Sequence, residues 1–427
     1  MSLISAGTNL LTSITFIGDQ TGNLVFQSNG TTALTLSNNT SIHTGTATFA
    51  NSATFANTIS APNTFGFKNR VINGDMRIWQ RGTSFSPSGT NVSSYYVPDR
   101  YFIETTNSGA TATWAQSTDV PFGQGFPYSI IQTVTTAQSS VASTGQFYGI
   151  CQGIEATNFL DFAYGTSAAK TGTLSFWVKS SITGTFVGSF YQVSGTYNRS
   201  FPFSYTIALS NTWQQVTIVI PGDTTANALP TTNSNVCIIK IELYSMLSPG
   251  YANGTLNAWN SNSSSNQYGP TGVSYNNLFA TNGATWQMTG MQFELGSQAT
   301  PYEFLPITQE LALCQRYYYQ WQALSGYYTT FCNVFAISST NGYGVFKLPV
   351  TMRAPPALTT TGTASNYRIF IGGSTYNCSS VPTMDTSGVD TVALQFPTAG
   401  TFTAGYAGFM QAAVTTGVSY LGFSAEY

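Results

Sequence analysis

"TLSFWVKS", residues 173–180, sets Leu174, Phe176 and Val178 on one side of an extended chain and Ser175, Trp177 and Lys179 on the other. This alternation has the two-residue period of a strand with one face toward a core. Three other stretches repeat the pattern. "VTIVI" (216–220) gathers Val216, Ile218 and Ile220, and "IIKIELY" (238–244) gathers Ile239, Ile241 and Leu243 against Lys240 and Glu242. "WQMTGMQFELG" (286–296) gathers Met291, Phe293 and Leu295. Clusters of Gly, Asn, Ser and Thr separate these runs, so residues 67–305 read as an antiparallel β-sandwich.

The totals agree. Apolar residues make up 42% of the 427 and aromatics 14%, enough to fill cores, and the length suits two to four structural units. Only 7% of residues are charged and the net charge is −2, so no global field draws the chain to nucleic acid or an anionic membrane. The longest apolar runs have strand length, far short of a membrane-spanning helix. The first residues lack a basic lead, so no signal peptide is expected. Cys151, Cys237, Cys314, Cys332 and Cys378 are odd in number and widely spaced, which reads as free thiols.

Outside the sandwich the chain changes character twice. Residues 1–66 are low in complexity and carry the repeat "ATFANS" (47–52), "ATFANT" (53–58), which places Phe49 and Phe55 on one side of a strand. Such a segment buries too little to fold alone. It is either disordered or ordered by winding with copies of itself or docking on a larger assembly, and the second reading is preferred. Residues 306–322, "PITQELALCQRYYYQWQ", read as a connecting helix with Thr308 as N-cap and Leu311, Cys314, Tyr318 and Trp321 along one stripe. Residues 323–427 return to short β patterns and read as a smaller C-terminal β domain.

Counting excludes most catalytic centres. His43 is the one histidine and lies in the low-complexity segment, which removes Ser-His-Asp, Cys-His and His-rich zinc chemistry. No CxxC pair, phosphate-binding glycine loop or EF-hand loop is present. Metal sites and cofactors are therefore not expected; a structural calcium, which sandwiches can hold, has no ligand spacing to assign it. Carboxylate pairs remain for a glycoside hydrolase, either Glu155 with Asp161 or Glu294 with Glu303, but ordinary ion-pair partners or strand-end residues are the preferred reading. Sugar binding without catalysis fits better, since rings and neutral amides hold a sugar without net charge. The long polar insertion 248–285 supplies Tyr251, Trp259, Tyr268 and Tyr275 as candidate glycan contacts. Packing of the same rings on the sandwich or on a neighbouring subunit is the competing reading.

Charge is concentrated in one place. Residues 68–100 hold Lys68, Arg70, Arg77, Arg81 and Arg100, five of the thirteen basic residues. No histidine or nucleophile accompanies them, and no basic stripe continues along the chain, so a nucleic-acid surface is not expected. The economical reading is a structural seam between the N-terminal segment and the sandwich. In it Arg77, Arg81 or Arg100 pairs with Asp75, Asp99 or backbone carbonyls, and Ile78 and Trp79 serve as apolar anchors.

"NRVINGDMRIWQRGTSF" (69–85) with "PDRYF" (98–102), "GMQFELGSQATPYEFLP" (290–306), "ELALCQRYYYQW" (310–321), "LPVTMRAPP" (348–356) and the closing "FSAEY" (423–427) resemble, in order, a tail-fibre family of tailed bacteriophages. That resemblance covers about residues 67–427. It implies a homotrimeric virion appendage, made in the bacterial host cytoplasm, whose sandwich is a jelly roll like carbohydrate-binding modules. Its partners would be other tail or capsid proteins, reached through the N-terminal segment, and host surface polysaccharide or lipopolysaccharide. The family has no agreed catalytic residues; Asn73, Asp75, Trp79, Arg81, Asp99, Arg100, Glu294, Pro301, Glu303 and Arg316 read as its framework. A polysaccharide depolymerase and a purely structural capsid fibre or tail adaptor are the alternatives.

Overall fold

The computed structural model describes residues 24–28, 31–37, 40–43, 67–87, 91–107, 109–143, 145–193, 199–225, 238–261 and 268–427. The chain divides into two units, Met1–Ala61 and Pro62–Tyr427. In the first, β1 (Leu24–Ser28), β2 (Thr31–Ser37) and β3 (Thr40–His43) form an antiparallel meander. The repeat at 47–58 lies outside the described residues.

The second unit opens with the sandwich. Its strands are β4 (Ser84–Phe85), β5 (Asn91–Tyr96), β6 (Tyr101–Thr106), β7 (Thr111–Ser117), β8 (Ser129–Thr136), β9 (Phe147–Glu155) and β10 (Gly172–Ser180). They continue with β11 (Gly184–Val193), β12 (Arg199–Ile207), β13 (Gln214–Ile220), β14 (Ile238–Leu247), β15 (Asn260–Ser261) and β16 (Thr285–Leu295). One sheet runs β13-β10-β16-β8-β7-β4, the other β15-β12-β11-β14-β9-β6-β5. Four antiparallel pairs are nested inside one another: β11 with β12, β10 with β13, β9 with β14, and β8 with β16. A long hairpin rolled so that successive strands alternate between two sheets is a jelly roll. The fold expected for this region is the fold it has.

The alternation seen in the sequence sets the core. Leu174, Phe176, Val178, Ile239, Ile241 and Leu243 are buried between the sheets, where they meet Phe186, Phe190, Phe201 and Phe203 of β11 and β12. In β16 the alternation breaks. Trp286 and Met288 point inward, and so do Met291 and Phe293, because an extra residue enters opposite the step from Ser175 to Trp177. Gly290, at φ +65°, takes that bulge, and the Phe126 ring lies where a side chain would stand.

Helix α1 (Ile307–Gln315) links the sandwich to β17 (Tyr318–Gln322). Here the expectation of a helix over 306–322 is corrected. Pro306, not Thr308, occupies the cap position and makes no side-chain cap bond. Tyr318 and Trp321 do not share a helical stripe: the run of rings is strand-forming, and it pairs with β26 (Tyr420–Ser424) about a hundred residues on. Tyr319 and Trp321 then face the second core, while Tyr318, Gln320 and Gln322 face away from it.

β17, β26 and β20 (Ala357–Thr360) make a three-stranded sheet. The remaining strands are β18 (Thr330–Ala336), β19 (Asn341–Lys347), β21 (Tyr367–Ile371), β22 (Ser374–Asn377), β23 (Thr383–Ser387), β24 (Thr391–Pro397) and β25 (Ala407–Ala412). They form a second sheet ordered β22-β21-β25-β18-β19-β24-β23. Phe331, Phe346, Ile369, Leu394, Met410 and Phe423 fill a core of their own, distinct from that of the jelly roll.

Candidate functional site

The arginine-rich stretch is structural. Asn73 sits in a left-handed turn, φ 59°, wholly buried. Its amide donates to the carbonyls of Ile78 and Asp99 at 2.9 and 3.0 Å, and its carbonyl accepts from the Ile78 N–H at 2.9 Å. This knot turns Asp75 inward to pair with Arg77. Burial raises the Asp75 carboxyl and Arg77 draws it back. Arg77 also donates to the Leu305 carbonyl at 2.9 Å. Trp79 donates to the Met76 carbonyl at 2.7 Å and stacks on Phe85. Asp99 accepts from the Gln80 N–H at 3.1 Å and lies 3.7 Å from Arg81. Arg100, 1% exposed, pairs with Glu426, donates to the Gly153 carbonyl at 2.6 Å and lies 3.3 Å over the Tyr317 ring.

Arg77 pairs with Asp75, Arg81 lies beside Asp99 and Arg100 takes a carbonyl, all within the set of partners expected. The junction with the N-terminal segment, where the seam was expected, lies outside the described residues. The further partners of these charges are Leu305, Glu310, Tyr317, Tyr318 and Glu426, so the seam locks the jelly roll to α1, β17 and the end of the chain. Glu426 is the acid that decides this, and its distance in sequence from Arg100 hid it. Arg316 reinforces the lock by gripping Glu155 with two nitrogens, at 2.8 and 3.0 Å.

The carboxylates considered for hydrolysis are each committed elsewhere. Glu155 accepts from Arg316 and from the Tyr317 hydroxyl at 2.6 Å, and Asp161 pairs with Arg70. Glu294 accepts from the Thr300 N–H at 2.7 Å, and Glu303 from the Asn69 N–H at 2.8 Å.

A further acid cluster was not legible in the sequence. On the outward side of the jelly-roll sheet that holds β6, β9 and β14, Glu104, Cys151 and Glu242 bring ligand atoms within 4.8 Å of one another. Lys240 places its ammonium 2.9 Å from Glu104 and 4.0 Å from Glu242, so the protein supplies its own cation there. The Tyr244 hydroxyl donates to Glu242. Burial lifts the Glu242 carboxyl from an ordinary 4.5 to about 7, with Lys240 pulling the other way. A carboxyl raised on folding stabilises the fold fully below its unfolded value, and that contribution fades as the pH climbs through the folded value. Glu242→Gln should therefore leave the melting temperature unchanged at about pH 4 and raise it at about pH 8. Thermal melts of the two proteins across that range check this; parallel curves would refute it.

The insertion resolves the four candidate aromatic residues into three situations. Trp259 packs inward: its Nε1 donates to the Pro221 carbonyl at 2.7 Å, and its ring meets Tyr164, Phe190 and Phe201 within 6.0 Å. For Trp259 the packing reading holds. Tyr251 and Tyr268 meet edge to face at 5.4 Å and close over Phe147 and Tyr244 on the outer side of β9 and β14, half-buried. Tyr275 lines an open pocket of about 490 Å³ that it shares with Pro249, Ala252, Asn253 and residues 270–277 of the insertion, and with Val141 and Leu247. Its ring is half-buried, and its hydroxyl is closed from solvent without a hydrogen-bond partner.

The walls of this cavity are held from behind. Asn276 donates to the Thr183 carbonyl at 2.5 Å, and its N–H donates to the Thr185 carbonyl at 2.7 Å. Asn277 donates to the Gln138 carbonyl at 2.7 Å, and the Thr271 N–H to the Gly254 carbonyl at 2.7 Å. None of the described residues lining the cavity is charged; Asn253, Thr271 and Ser274 share its lining with Pro249, Pro270 and Val273. An open pocket of apolar surface and neutral hydroxyl and amide groups suits a neutral, hydroxyl-rich ligand.

No family model matches the chain, and no curated protein matches it. Among solved structures it is similar to the enzymatically active domain of tailspike protein 4 of bacteriophage CBA120, at 15% identity and TM-score 0.29 over 53% of this chain. The aligned part spans 21% of that tailspike chain. It is similar to a putative sugar binding protein from Bacteroides thetaiotaomicron, at 12% identity and TM-score 0.28 over 54% of this chain and 100% of the other. A family 4 carbohydrate-binding module aligns at 13% identity and TM-score 0.25 over 52% of this chain and 98% of its own. Scores this low carry no argument about function; the jelly roll is identified by this chain's own strand order.

Proposed function

We propose that this chain is a bacteriophage tail fibre, assembled as a homotrimer on the virion, whose jelly roll adheres to host surface polysaccharide or lipopolysaccharide without cleaving it. The tail-fibre part rests on the ordered motifs between residues 69 and 427. The observation that carries glycan adhesion is the cavity in the insertion, pre-shaped by bonds to the sandwich and lined by uncharged groups beside the Tyr275 ring. Pre-formed walls spare a ligand the entropy of ordering them. Absence of charge in the lining argues for binding over hydrolysis, because a glycosidase needs two carboxyl groups flanking the bond it breaks.

The test is an array of bacterial lipopolysaccharides and capsular polysaccharides. The intact protein should bind at least one, and Tyr275→Ala with Ser274→Ala should weaken that signal about tenfold or more. Unchanged binding of every glycan by this variant would refute the site. Release of reducing ends from a bound polysaccharide would refute the non-catalytic reading.

A further inference from the structure

We infer that a second glycan site, for a neutral sugar ring, lies in the groove where the jelly roll meets the C-terminal β domain. The inference rests on the adhesive reading above but not on the insertion cavity, from which it shares no lining residue. The groove holds about 690 Å³.

One wall comes from β17, whose alternation sends Tyr318, Gln320 and Gln322 into the groove. These side chains form a relay. The Tyr318 hydroxyl donates to Gln320 Oε1 at 2.6 Å, Gln320 Nε2 to Gln322 Oε1 at 3.1 Å, and Gln322 Nε2 to the Gly417 carbonyl at 2.9 Å. Each amide is thereby fixed in orientation and keeps hydrogen-bonding capacity to spare. Gln322 is exposed and Gln320 half-exposed, so that capacity reaches the groove.

The part of the lining that comes from the jelly roll is aromatic. Phe85 and Tyr95 meet edge to face at 6.1 Å, with Trp79 stacked behind Phe85, and Tyr95 is 38% exposed. Tyr420, paired across the sheet with Gln322, adds a ring at the β26 side. Rings beside oriented amides make the combination that holds a sugar, the rings taking its C–H faces and the amides its hydroxyls.

The charge balance sets the class of sugar. Arg81 is the one charged residue lining the groove. It is clamped between the Tyr318 and Tyr96 rings, 3.4 and 4.7 Å from their centres, and both its terminal nitrogens are closed from solvent. Asp99 and Glu426 lie 3.7 and 3.5 Å from it, so its charge is answered from behind. An acidic sugar would find no unmatched cation here, whereas a neutral ring needs none.

The test prints neutral oligosaccharides of glucose, galactose, mannose and N-acetylhexosamines beside uronic-acid oligosaccharides. Full-length wild type is compared on it with Tyr95→Ala/Gln322→Ala, which alters exposed side chains only, and with Ser274→Ala/Tyr275→Ala in the insertion. We expect at least one neutral glycan whose signal falls about tenfold or more in the groove variant and persists in the insertion variant. Equal binding by the groove variant and wild type would overturn the inference and leave the insertion site standing. Loss confined to uronic-acid glycans would overturn the neutral class. A change of sedimentation coefficient in the groove variant would show a contact between copies instead, and would also overturn it. Silence of wild type on every glycan would overturn the adhesive reading itself.

Discussion

Replacing Arg100 by alanine should cost about 3–5 kcal/mol of stability, the usual loss when one partner of a buried ion pair is removed. The guanidinium is almost wholly buried and does three things at once: it neutralises Glu426, donates to the Gly153 carbonyl and covers the Tyr317 ring. Without it the Glu426 side chain, 3% exposed, keeps only Arg81 at 3.5 Å. Lysine should not rescue, since a point charge cannot reach the carboxylate and the carbonyl together. The pair of changes Arg100→Met with Glu426→Leu should recover most of the loss, because no buried charge is then left alone. Urea melts of the three variants measure this. A loss below about 1 kcal/mol for Arg100→Ala would mean the seam does not hold the two β domains together.

Gly290→Val should cost about 3 kcal/mol, by a different route. At φ +65° a β-branched residue is strained, and a Cβ there would stand 2.5 Å from the Phe126 ring. Phe126 cannot swing aside freely, because Tyr302 and Phe304 pack on it at 5.2 and 5.3 Å. Straightening the bulge is no remedy, since a one-residue shift would turn either Trp286 and Met288 or Met291 and Phe293 out of the core. The same melts should show a loss comparable with that of Arg100→Ala. A near-neutral Gly290→Val would show that the bulge is not what keeps both halves of β16 facing inward.

That bulge illustrates how far the residues alone speak. Period-two alternation exposed the core faces of β10, β13 and β14, because each strand's own sequence carries the signal. In β16 the second half read correctly, while Trp286 and Met288 lay on the wrong parity, and only the pairing with β10 explains the switch. α1 was over-extended for a related reason. Leu311, Cys314, Tyr318 and Trp321 fit a helical stripe as well as Tyr318–Gln322 fits a strand, and the partner that decides is β26.

The sites divide likewise. Arg77–Asp75 and Arg81–Asp99 are close in sequence and could be anticipated, whereas Glu426 and Glu310 could not. The insertion stood out by composition, yet nothing local shows that Trp259 would find Pro221 and Phe190 while Tyr275 would be left at a cavity. The groove needs rings and amides from four separated segments, so its sequence carries no local mark of it.

Adhesion through the insertion is the claim on which the functional account turns. Its most direct test is a crystal of the protein soaked with the bacterial surface glycan whose binding the Ser274→Ala/Tyr275→Ala variant loses. The account predicts ordered sugar density in the cavity between Asn253, Val273 and Tyr275, with the glycan chain uncleaved. Sugar bound elsewhere on the protein with that cavity vacant, or a cleaved chain within it, would contradict the account.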